Sequence, residues 1–280
     1  MDLCDYKQIQ TLLQANGFHF SKAKGQNFLT ARWVPERIAE ACAPDRQTGV
    51  VEIGPGVGCL TEQLALRAGK VLSFEVDESL RPVLAVTLAP YDNIEVVFGD
   101  VMRRDLKKEA TESLPGLKHI LCANLPYSIT TPVLTKIYEA GCFENVTVMI
   151  QKEVADRICA APGQKDYGAF TLLTQWYAEP ELLFNVGPEC FVPQPKVTSA
   201  VVRLKTRSVP PYNTDEKLLF RVIRASFNMR RKTLVNALDG VCGKERARSA
   251  LRDCGLAETI RGEALTLAEF SALTDALINN

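Results

Sequence analysis

Short runs of apolar residues alternate with amphipathic segments between residues 48 and 150. Five of these runs, four to six residues long, predict buried strands at Val50–Ile53, Val71–Val76, Ile94–Phe98, Ile120–Ala123 and Val146–Ile150. Apolar positions at helical spacing lie between several of them and predict helices at Thr61–Ala68, Glu78–Leu88 and Thr131–Ala140. Strands that alternate with helices form parallel sheets covered by helices. We therefore predict an α/β fold with a doubly wound, Rossmann-like sheet.

The pattern changes on both sides of this region. The first 45 residues have helical periodicity, interrupted by a Gly/Lys-rich loop at residues 22–27. Two β-rich stretches, Glu181–Phe184 and Val197–Leu204, follow the last predicted strand, and Ser208–Pro211 has the composition of a linker. The remaining residues predict helices at Thr214–Leu238, Lys244–Cys254 and Thr266–Ile278. The expected organisation is an α/β domain over residues 1–207 and a small helical domain over residues 208–280.

The composition is that of an ordinary globular protein, with 46% hydrophobic and 24% charged residues. No apolar run is long enough to span a membrane, and the first residues lack the apolar core of a signal peptide. We therefore expect no membrane association and a cytoplasmic location. The nine cysteines, an odd number without a C-x-x-C pair, are expected to be free thiols. With only two histidines, no metal site is expected.

The net charge is zero, but it is distributed unevenly. Residues 217–252 contain ten basic and two acidic residues, so this window carries a charge of +8 and the rest of the chain carries −8. Five polar residues recur at intervals of four, three, four and three, which places them on one face of the predicted helix: Lys217, Arg221, Arg224, Asn228 and Arg231. This asymmetry indicates a polyanionic partner.

A glycine-rich turn follows the first predicted strand and precedes a helix. Gly54, Gly56 and Gly58 permit a tight turn and the close approach of a ligand to the backbone. The dinucleotide fingerprint requires a further glycine at position 59, where this chain has Cys59. An NAD-dependent oxidoreductase is therefore the weaker of two hypotheses for this turn.

Carboxylates at the ends of the next two strands favour a nucleoside ligand. Glu75 lies 21 residues after Gly54, and Asp100 follows the third strand. Because the carboxyl ends of parallel strands meet at one edge of a sheet, we expect these groups to converge with the glycine turn. Glu75 would accept hydrogen bonds from the ribose hydroxyls, and Asp100 would accept one from an adenine amino group.

The tetrapeptide Asn124-Leu125-Pro126-Tyr127 ends the fourth predicted strand at the same edge. An exocyclic amine of a base is a poor nucleophile because its lone pair is delocalised into the ring. The side-chain oxygen of Asn124 and the carbonyl of Leu125 would accept its two hydrogens and turn the lone pair toward an electrophilic methyl group. Pro126 stiffens the turn, and Tyr127 would stack on a base taken out of its helix. Phe191 is either a core residue or the opposite face of this clamp.

In their order along the chain, these motifs resemble those of the ribosomal RNA adenine dimethyltransferase family over roughly residues 20–235. The matching elements are Lys24–Leu29, Glu52–Gly56, Glu75, Gly99-Asp100, Asn124–Tyr127, Phe191–Val197 and Arg230–Leu234. The resemblance is greatest to the small-subunit branch. Large-subunit relatives of the macrolide-resistance type typically have isoleucine at the position of Leu125 and lack the run Arg230–Leu234.

The resemblance implies a class I methyltransferase sheet that uses S-adenosylmethionine and no metal. The cofactor contacts it implies are Asn27, Leu29, Gly54, Gly56, Glu75, Asp100 and Asn124. The implied product is N6,N6-dimethyladenosine at two adjacent adenosines near the 3′ end of small-subunit (16S) rRNA, made by a monomer on an immature 30S-type particle. The expected RNA contacts are Lys22, Lys24, Arg221, Arg224, Arg230, Arg231 and Lys232. A large-subunit enzyme of the resistance type and a non-catalytic RNA-binding or assembly factor remain as alternatives.

Overall fold

The computed structural model describes residues 1–18 and 26–279, which divide into two compact units. The first unit contains Met1–Ala155 and Glu181–Thr206, and the second contains Asp156–Pro180 and the chain from Arg207 onward. This division differs from the predicted domains 1–207 and 208–280, because residues 156–180 cluster with the C-terminal helices, with Tyr167 and Trp176 in the same buried core as Leu219 of α9. Within the described residues, no helix is both long and apolar enough to cross a membrane.

The strands of the described chain are β1 (Phe28–Leu29), β2 (Thr48–Ile53), β3 (Lys70–Glu75), β4 (Ile94–Phe98), β5 (Lys118–Asn124), β6 (Asn145–Gln151), β7 (Ala178–Val186), β8 (Phe191–Val192) and β9 (Ser199–Thr206). The helices are α1 (Tyr6–Ala15), α2 (Trp33–Cys42), α3 (Cys59–Ala65), α4 (Arg81–Thr87), α5 (Leu106–Ser113), α6 (Thr130–Ala140), α7 (Lys152–Ile158), α8 (Ala169–Tyr177), α9 (Glu216–Asn228), α10 (Leu234–Ala237), α11 (Asp239–Cys242), α12 (Lys244–Asp253) and α13 (Leu267–Asn279). Each of the five predicted apolar runs forms a strand.

A seven-stranded sheet organises the first unit, in the order β4-β3-β2-β5-β6-β9-β7. The neighbours from β4 to β6 are parallel, and β9 runs antiparallel to β6. The α/β prediction is therefore confirmed. The chain order reverses between β2 and β5, and open sheets of this kind bind ligands beyond the strand ends at such a reversal.

The two central strands are buried on both faces, as their uninterrupted apolar sequences predict. Val50 and Val51 of β2, and Leu121 and Cys122 of β5, are fully buried. Helix α2 packs over this region, with Ile38 completely inaccessible to solvent. The central strands therefore form a rigid base for the loops that leave their carboxyl ends.

A two-stranded antiparallel ribbon, which the sequence did not predict, lies apart from the main sheet. Phe28 of β1 pairs with Val192 of β8, and Leu29 pairs with Phe191. The amide of Thr30 extends the ribbon by donating to the carbonyl of Cys190 at 2.8 Å. The ribbon holds two segments that are distant in sequence, residues 26–29 and 190–192, next to each other.

Helix α9 of the second unit is amphipathic, but it is shorter than the predicted helix Thr214–Leu238. Asp215 caps its first turn by accepting from the amide of Leu218 at 2.7 Å, and the helix ends at Asn228. A turn follows, in which the amide of Lys232 donates to the carbonyl of Met229 at 2.7 Å. Arg231 therefore does not continue the polar face of α9, which corrects its predicted position.

Arg230, two residues beyond the end of α9, binds groups elsewhere in its own unit. Its guanidinium lies 2.7 Å from a carboxylate oxygen of Glu263 and donates to the carbonyl oxygens of Gln164 and Lys165 at 3.3 and 2.8 Å. Its Nε and one terminal nitrogen are thus used inside the protein, and the role of Arg230 in RNA binding stays a prediction.

Candidate active site

A cavity of about 380 Å³ opens where the sequence predicted a ligand site, beyond the carboxyl ends of β2, β3, β4 and β5. This volume is within the usual range for small-molecule sites. The ribbon of β1 and β8 supplies a further wall. The cavity is lined by eleven predicted residues, which the fold thus brings together: Asn27, Leu29, Gly54, Gly56, Glu75, Asp100, Asn124, Leu125, Pro126, Tyr127 and Phe191.

The glycine turn after β2 requires residues without a side chain. Gly54 and Gly56 have φ values of +75° and +60°, in the left-handed region that other residues rarely adopt. A Cβ atom at Gly56 would lie 3.3 Å from ring carbons of Phe28. One at Gly54 would lie 3.9 Å from the carbonyl oxygen of Asn124. Backbone atoms therefore form this part of the cavity wall, so a ligand can approach the main chain closely.

Glu75 places a carboxylate at the edge of the cavity. The residue is 5% exposed, and its two oxygens accept from the amides of Gly56 at 3.3 Å and Asp77 at 2.8 Å. Burial raises the pKa of this carboxyl, and the two amide hydrogen bonds oppose the rise. Each carboxylate oxygen can accept a further hydrogen bond. An acceptor pair of this kind fits the two hydroxyls of a ribose.

The wall beyond β4 combines one carboxylate with apolar side chains. Asp100 accepts from the amide of Met102 at 2.9 Å and lies 3.7 Å from the guanidinium of Arg103. Leu80, Val101 and Met102 line the cavity beside it. An apolar slot next to an acceptor fits an adenine ring whose amino group donates a hydrogen bond. The residues present therefore fit the adenosine part of S-adenosylmethionine.

Behind the glycine turn lies a second buried carboxyl, Glu52, to which the sequence analysis assigned no role. One of its oxygens accepts from the hydroxyls of Thr61 and Ser73, both at 2.7 Å. Desolvation raises the pKa of Glu52 to about 7, and the nearby charge of Glu75 adds to the rise. Through these two hydroxyls the carboxyl links β2 to α3 and to β3. It therefore stabilises the turn without lining the cavity.

Asn124 is the last residue of β5 and lines the cavity. Within residues 1–18 and 26–279, no group forms a hydrogen bond with its side-chain amide. The next residue is held in place, because the amide of Leu125 donates to the carbonyl of Met149 at 3.1 Å. The Asn124 side chain and the Leu125 carbonyl therefore belong to a rigid segment and can serve as acceptors for an incoming amine.

Tyr127 follows this segment, and its ring is held in place by a hydrogen bond. Its hydroxyl lies 2.7 Å from the hydroxyl of Ser199, a fully buried residue at the start of β9. Burial raises the pKa of Tyr127. Sequence reasoning considered only the ring and missed Ser199, for which the chain offers no motif. Phe191 is 1% exposed and also lines the cavity, so it serves as both core residue and cavity wall.

The other predicted RNA contacts lie elsewhere. Arg221 and Arg224 are exposed on α9, and Arg231 and Lys232 are exposed in the turn that follows it. In the described part of the chain, none of these four cations has an ion-pair partner. The predicted contacts Lys22 and Lys24 lie outside the described residues.

Comparison with known proteins decides which family this architecture represents. Residues 17–278 match the family model described as "Ribosomal RNA adenine dimethylase". The chain belongs to this family. It is 44% identical over 285 residues to "Ribosomal RNA small subunit methyltransferase A" of Geobacillus thermodenitrificans (strain NG80-2), covering 99% of this chain and 97% of that protein. The protein of the same name from Streptococcus pneumoniae (strain P1031) is also 44% identical, with 99% and 98% covered.

Solved structures agree with this assignment. The 23S rRNA methyltransferase ErmE is 28% identical, with a TM-score of 0.70 over 90% of this chain and all of that one. A dimethyladenosine transferase from Plasmodium falciparum has the same fold, with a TM-score of 0.76 at 24% identity over 88% and 95% of the two chains. The fold is that of class I methyltransferases, and the chain is an S-adenosylmethionine-dependent rRNA adenine dimethyltransferase. The oxidoreductase hypothesis is therefore rejected.

Proposed function

We propose that this chain dimethylates the N6 amines of two adjacent adenosines near the 3′ end of small-subunit rRNA. The observation that carries the proposal is the position of the Asn124 side chain and the Leu125 carbonyl, which lie together at the edge of a cavity that fits S-adenosylmethionine. The two relatives at 44% identity, both named as small-subunit methyltransferases, support the choice of RNA.

Bound S-adenosylmethionine supplies the electrophilic methyl group. Glu75 would hold the ribose of its adenosine part, and Asp100 would accept a hydrogen bond from its adenine amino group. Asn124 Oδ1 and the Leu125 carbonyl oxygen accept the two hydrogens of the target amine and turn its lone pair toward the cavity. Both bonds strengthen as positive charge develops on the nitrogen, so they stabilise the transition state more than the bound substrate.

Aromatic stacking holds the target base. The base must leave its stack before its amine can reach the cavity. Tyr127, fixed through its hydroxyl to Ser199, offers a ring that needs no reorganisation before stacking. Stacking of a base on an aromatic ring contributes about 1–3 kcal/mol. Phe191, buried in β8, lines the same cavity.

The exposed cations of the second unit bind the phosphates of the RNA. Arg221 and Arg224 lie one turn apart on α9, opposite the buried Leu219 and Ile223. Cations without a partner in the described chain can release counterions from RNA without first breaking an ion pair. We propose that this surface binds an immature 30S-type particle, and that the protein does so as a monomer.

A large-subunit enzyme is the second candidate, and the similarity to ErmE is the observation in its favour. The two are separated by offering undermethylated small subunits and large subunits to the purified protein with labelled S-adenosylmethionine. We expect N6,N6-dimethyladenosine in small-subunit rRNA alone, with fully methylated small subunits as the control that takes up no label. Label only in large-subunit rRNA would reverse the assignment, and no label in either would indicate a non-catalytic assembly factor.

A further inference from the structure

One polar side chain at the carboxyl edge of the sheet has no part in the site described so far. Gln151 is the last residue of β6, the strand next to β5, and it is partly exposed. Among the residues that the structure describes, none forms a hydrogen bond with its side-chain amide. Gln151 does not line the cofactor cavity. Its amide is therefore available to a ligand other than the cofactor.

The register of the strands places Gln151 on the face of the sheet that carries the proposed chemistry. Asn124 of β5 pairs with Met149 of β6, so their side chains share a face of the sheet. Side chains alternate along a strand, which returns Gln151 to that same face. Gln151 pairs in turn with Ser199 of β9, whose hydroxyl lies 2.7 Å from that of Tyr127. Gln151 thus shares one face with the acceptor of the target amine and with the residue that holds the stacking ring.

The geometry of the sheet sets the distance between Gln151 and Asn124. Neighbouring strands lie about 4.8 Å apart and each residue advances about 3.3 Å, so one strand across and two residues along gives about 8 Å between the two Cα atoms. Two side chains that start at this separation can reach neighbouring atoms of one purine ring. The position is also rigid, because the ladder to β9 continues past it with the amide of Lys152, which donates to the carbonyl of Thr198 at 2.9 Å.

Dimethylation removes the hydrogen atoms by which Asn124 and Leu125 would hold the base. Each transfer forms a bond from N6 to the methyl carbon, breaks the bond from that carbon to sulfur and releases one amine hydrogen as a proton. Adenine therefore enters the first transfer with two amine hydrogens and the second with one. One of the two acceptors then has no hydrogen to accept, whereas the ring nitrogens beside the amine keep their lone pairs throughout.

We propose that the side-chain amide of Gln151 donates a hydrogen bond to a ring nitrogen beside the N6 amine of the target adenine and keeps the base aligned for the second transfer. This inference rests on the proposed position of the target base. Glutamine pairs well with the edge of adenine, since its N–H₂ group donates to a ring nitrogen. A contact to the ring is the one polar contact that both transfers leave unchanged.

The test follows the two transfers separately in the wild type, Gln151→Ala and Gln151→Glu. Undermethylated small subunits are incubated with saturating S-adenosylmethionine, and mass spectrometry separates N6-methyladenosine from N6,N6-dimethyladenosine at successive times. Gln151→Glu keeps the size of the side chain but has no donor when it is ionised. Gln47→Ala is the matched control, because Gln47 is an exposed glutamine that precedes β2 at the opposite edge of the sheet. Calorimetry measures the affinity of each variant for S-adenosylmethionine.

Both Gln151 variants should accumulate N6-methyladenosine. Loss of one hydrogen bond should slow the second transfer about 3- to 10-fold. The first transfer should slow by less than about 3-fold, because two amine hydrogen bonds still align the base. The affinity for S-adenosylmethionine should not change, since Gln151 lies outside the cofactor cavity. Gln47→Ala should give the same products at the same rates as the wild type.

Three results would overturn this inference while leaving the proposed function intact, provided that the wild type makes dimethyladenosine. They are an unchanged ratio of the two products in the Gln151 variants, an equal slowing of both transfers, and a weakened affinity for S-adenosylmethionine. A wild type that makes no dimethyladenosine would overturn the proposed function and this inference with it.

Discussion

Replacing Glu75 tests how the cavity binds the cofactor. In Glu75→Ala the two ribose hydroxyls lose a buried, charged acceptor pair, which corresponds to about 2–4 kcal/mol of binding free energy. The affinity for S-adenosylmethionine should therefore fall ~30- to 1000-fold. The substitution also leaves the amides of Gly56 and Asp77 without their side-chain acceptor, so the free energy of unfolding should fall as well.

Calorimetric titration of the folded variants separates these two effects. Glu75→Gln keeps one acceptor oxygen but replaces the other with an N–H₂ group, which cannot accept a hydrogen bond. Its affinity for S-adenosylmethionine should therefore lie between those of the wild type and Glu75→Ala. Glu78→Gln is the matched control, because Glu78 lies three residues farther along, outside the cavity, and pairs with Arg81 at the surface. If Glu75→Ala binds S-adenosylmethionine within twofold of the wild type while remaining folded, Glu75 does not bind the ribose.

Three further substitutions test other parts of the structure. Tyr127→Phe should lower the rate of single-turnover methylation by less than ~10-fold, since it loses only the hydrogen bond to Ser199. Tyr127→Ala should also lose ~1–3 kcal/mol of stacking energy. An equal loss of rate in both variants would show that the hydroxyl matters more than the ring. Changing Arg221 and Arg224 together to Gln should reduce the slope of log K against log[salt] for binding to small subunits by roughly 1–2, without changing the affinity for the cofactor. An unchanged slope would show that α9 does not contact phosphates. Because the pKa of Glu52 is raised from its usual 4.5 to about 7, its contribution to the free energy of unfolding is complete below pH 4.5 and is lost as the pH rises through 7, by up to about 3 kcal/mol. Urea unfolding of Glu52→Gln should lack this decline. The same decline in both proteins would contradict the prediction.

The arrangement of the site was predictable where local pattern and chain direction determine it. The apolar runs that became β2 to β6 identified parallel strands, and their carboxyl ends necessarily meet at one edge of the sheet. Glu75, Asp100 and Asn124 could therefore be placed together without knowledge of any contact. Their convergence on one cavity follows from the fold alone.

Other features depend on tertiary contacts that leave no periodic pattern. The ribbon of β1 and β8 has two residues in each strand, too few to produce a recognisable alternation. Residues 156–180 join the helical unit through buried side chains such as Tyr167 and Trp176, whose partners lie far away in sequence. Helix α9 ends at Asn228 although its sequence would support further turns, and the contact of Arg230 with Glu263, 33 residues away in sequence, leaves no local pattern.

The most direct test of the account compares the wild type with Asn124→Ala in single-turnover methylation of undermethylated small subunits, with nucleosides analysed by mass spectrometry. The wild type should produce N6,N6-dimethyladenosine. Asn124→Ala should transfer methyl groups roughly 10²–10³-fold more slowly, because it lacks the acceptor that stabilises the developing charge. Its binding to the particle should stay close to normal, since phosphate contacts supply most of that affinity. A near-normal rate in Asn124→Ala, or no dimethyladenosine from the wild type, would contradict the account.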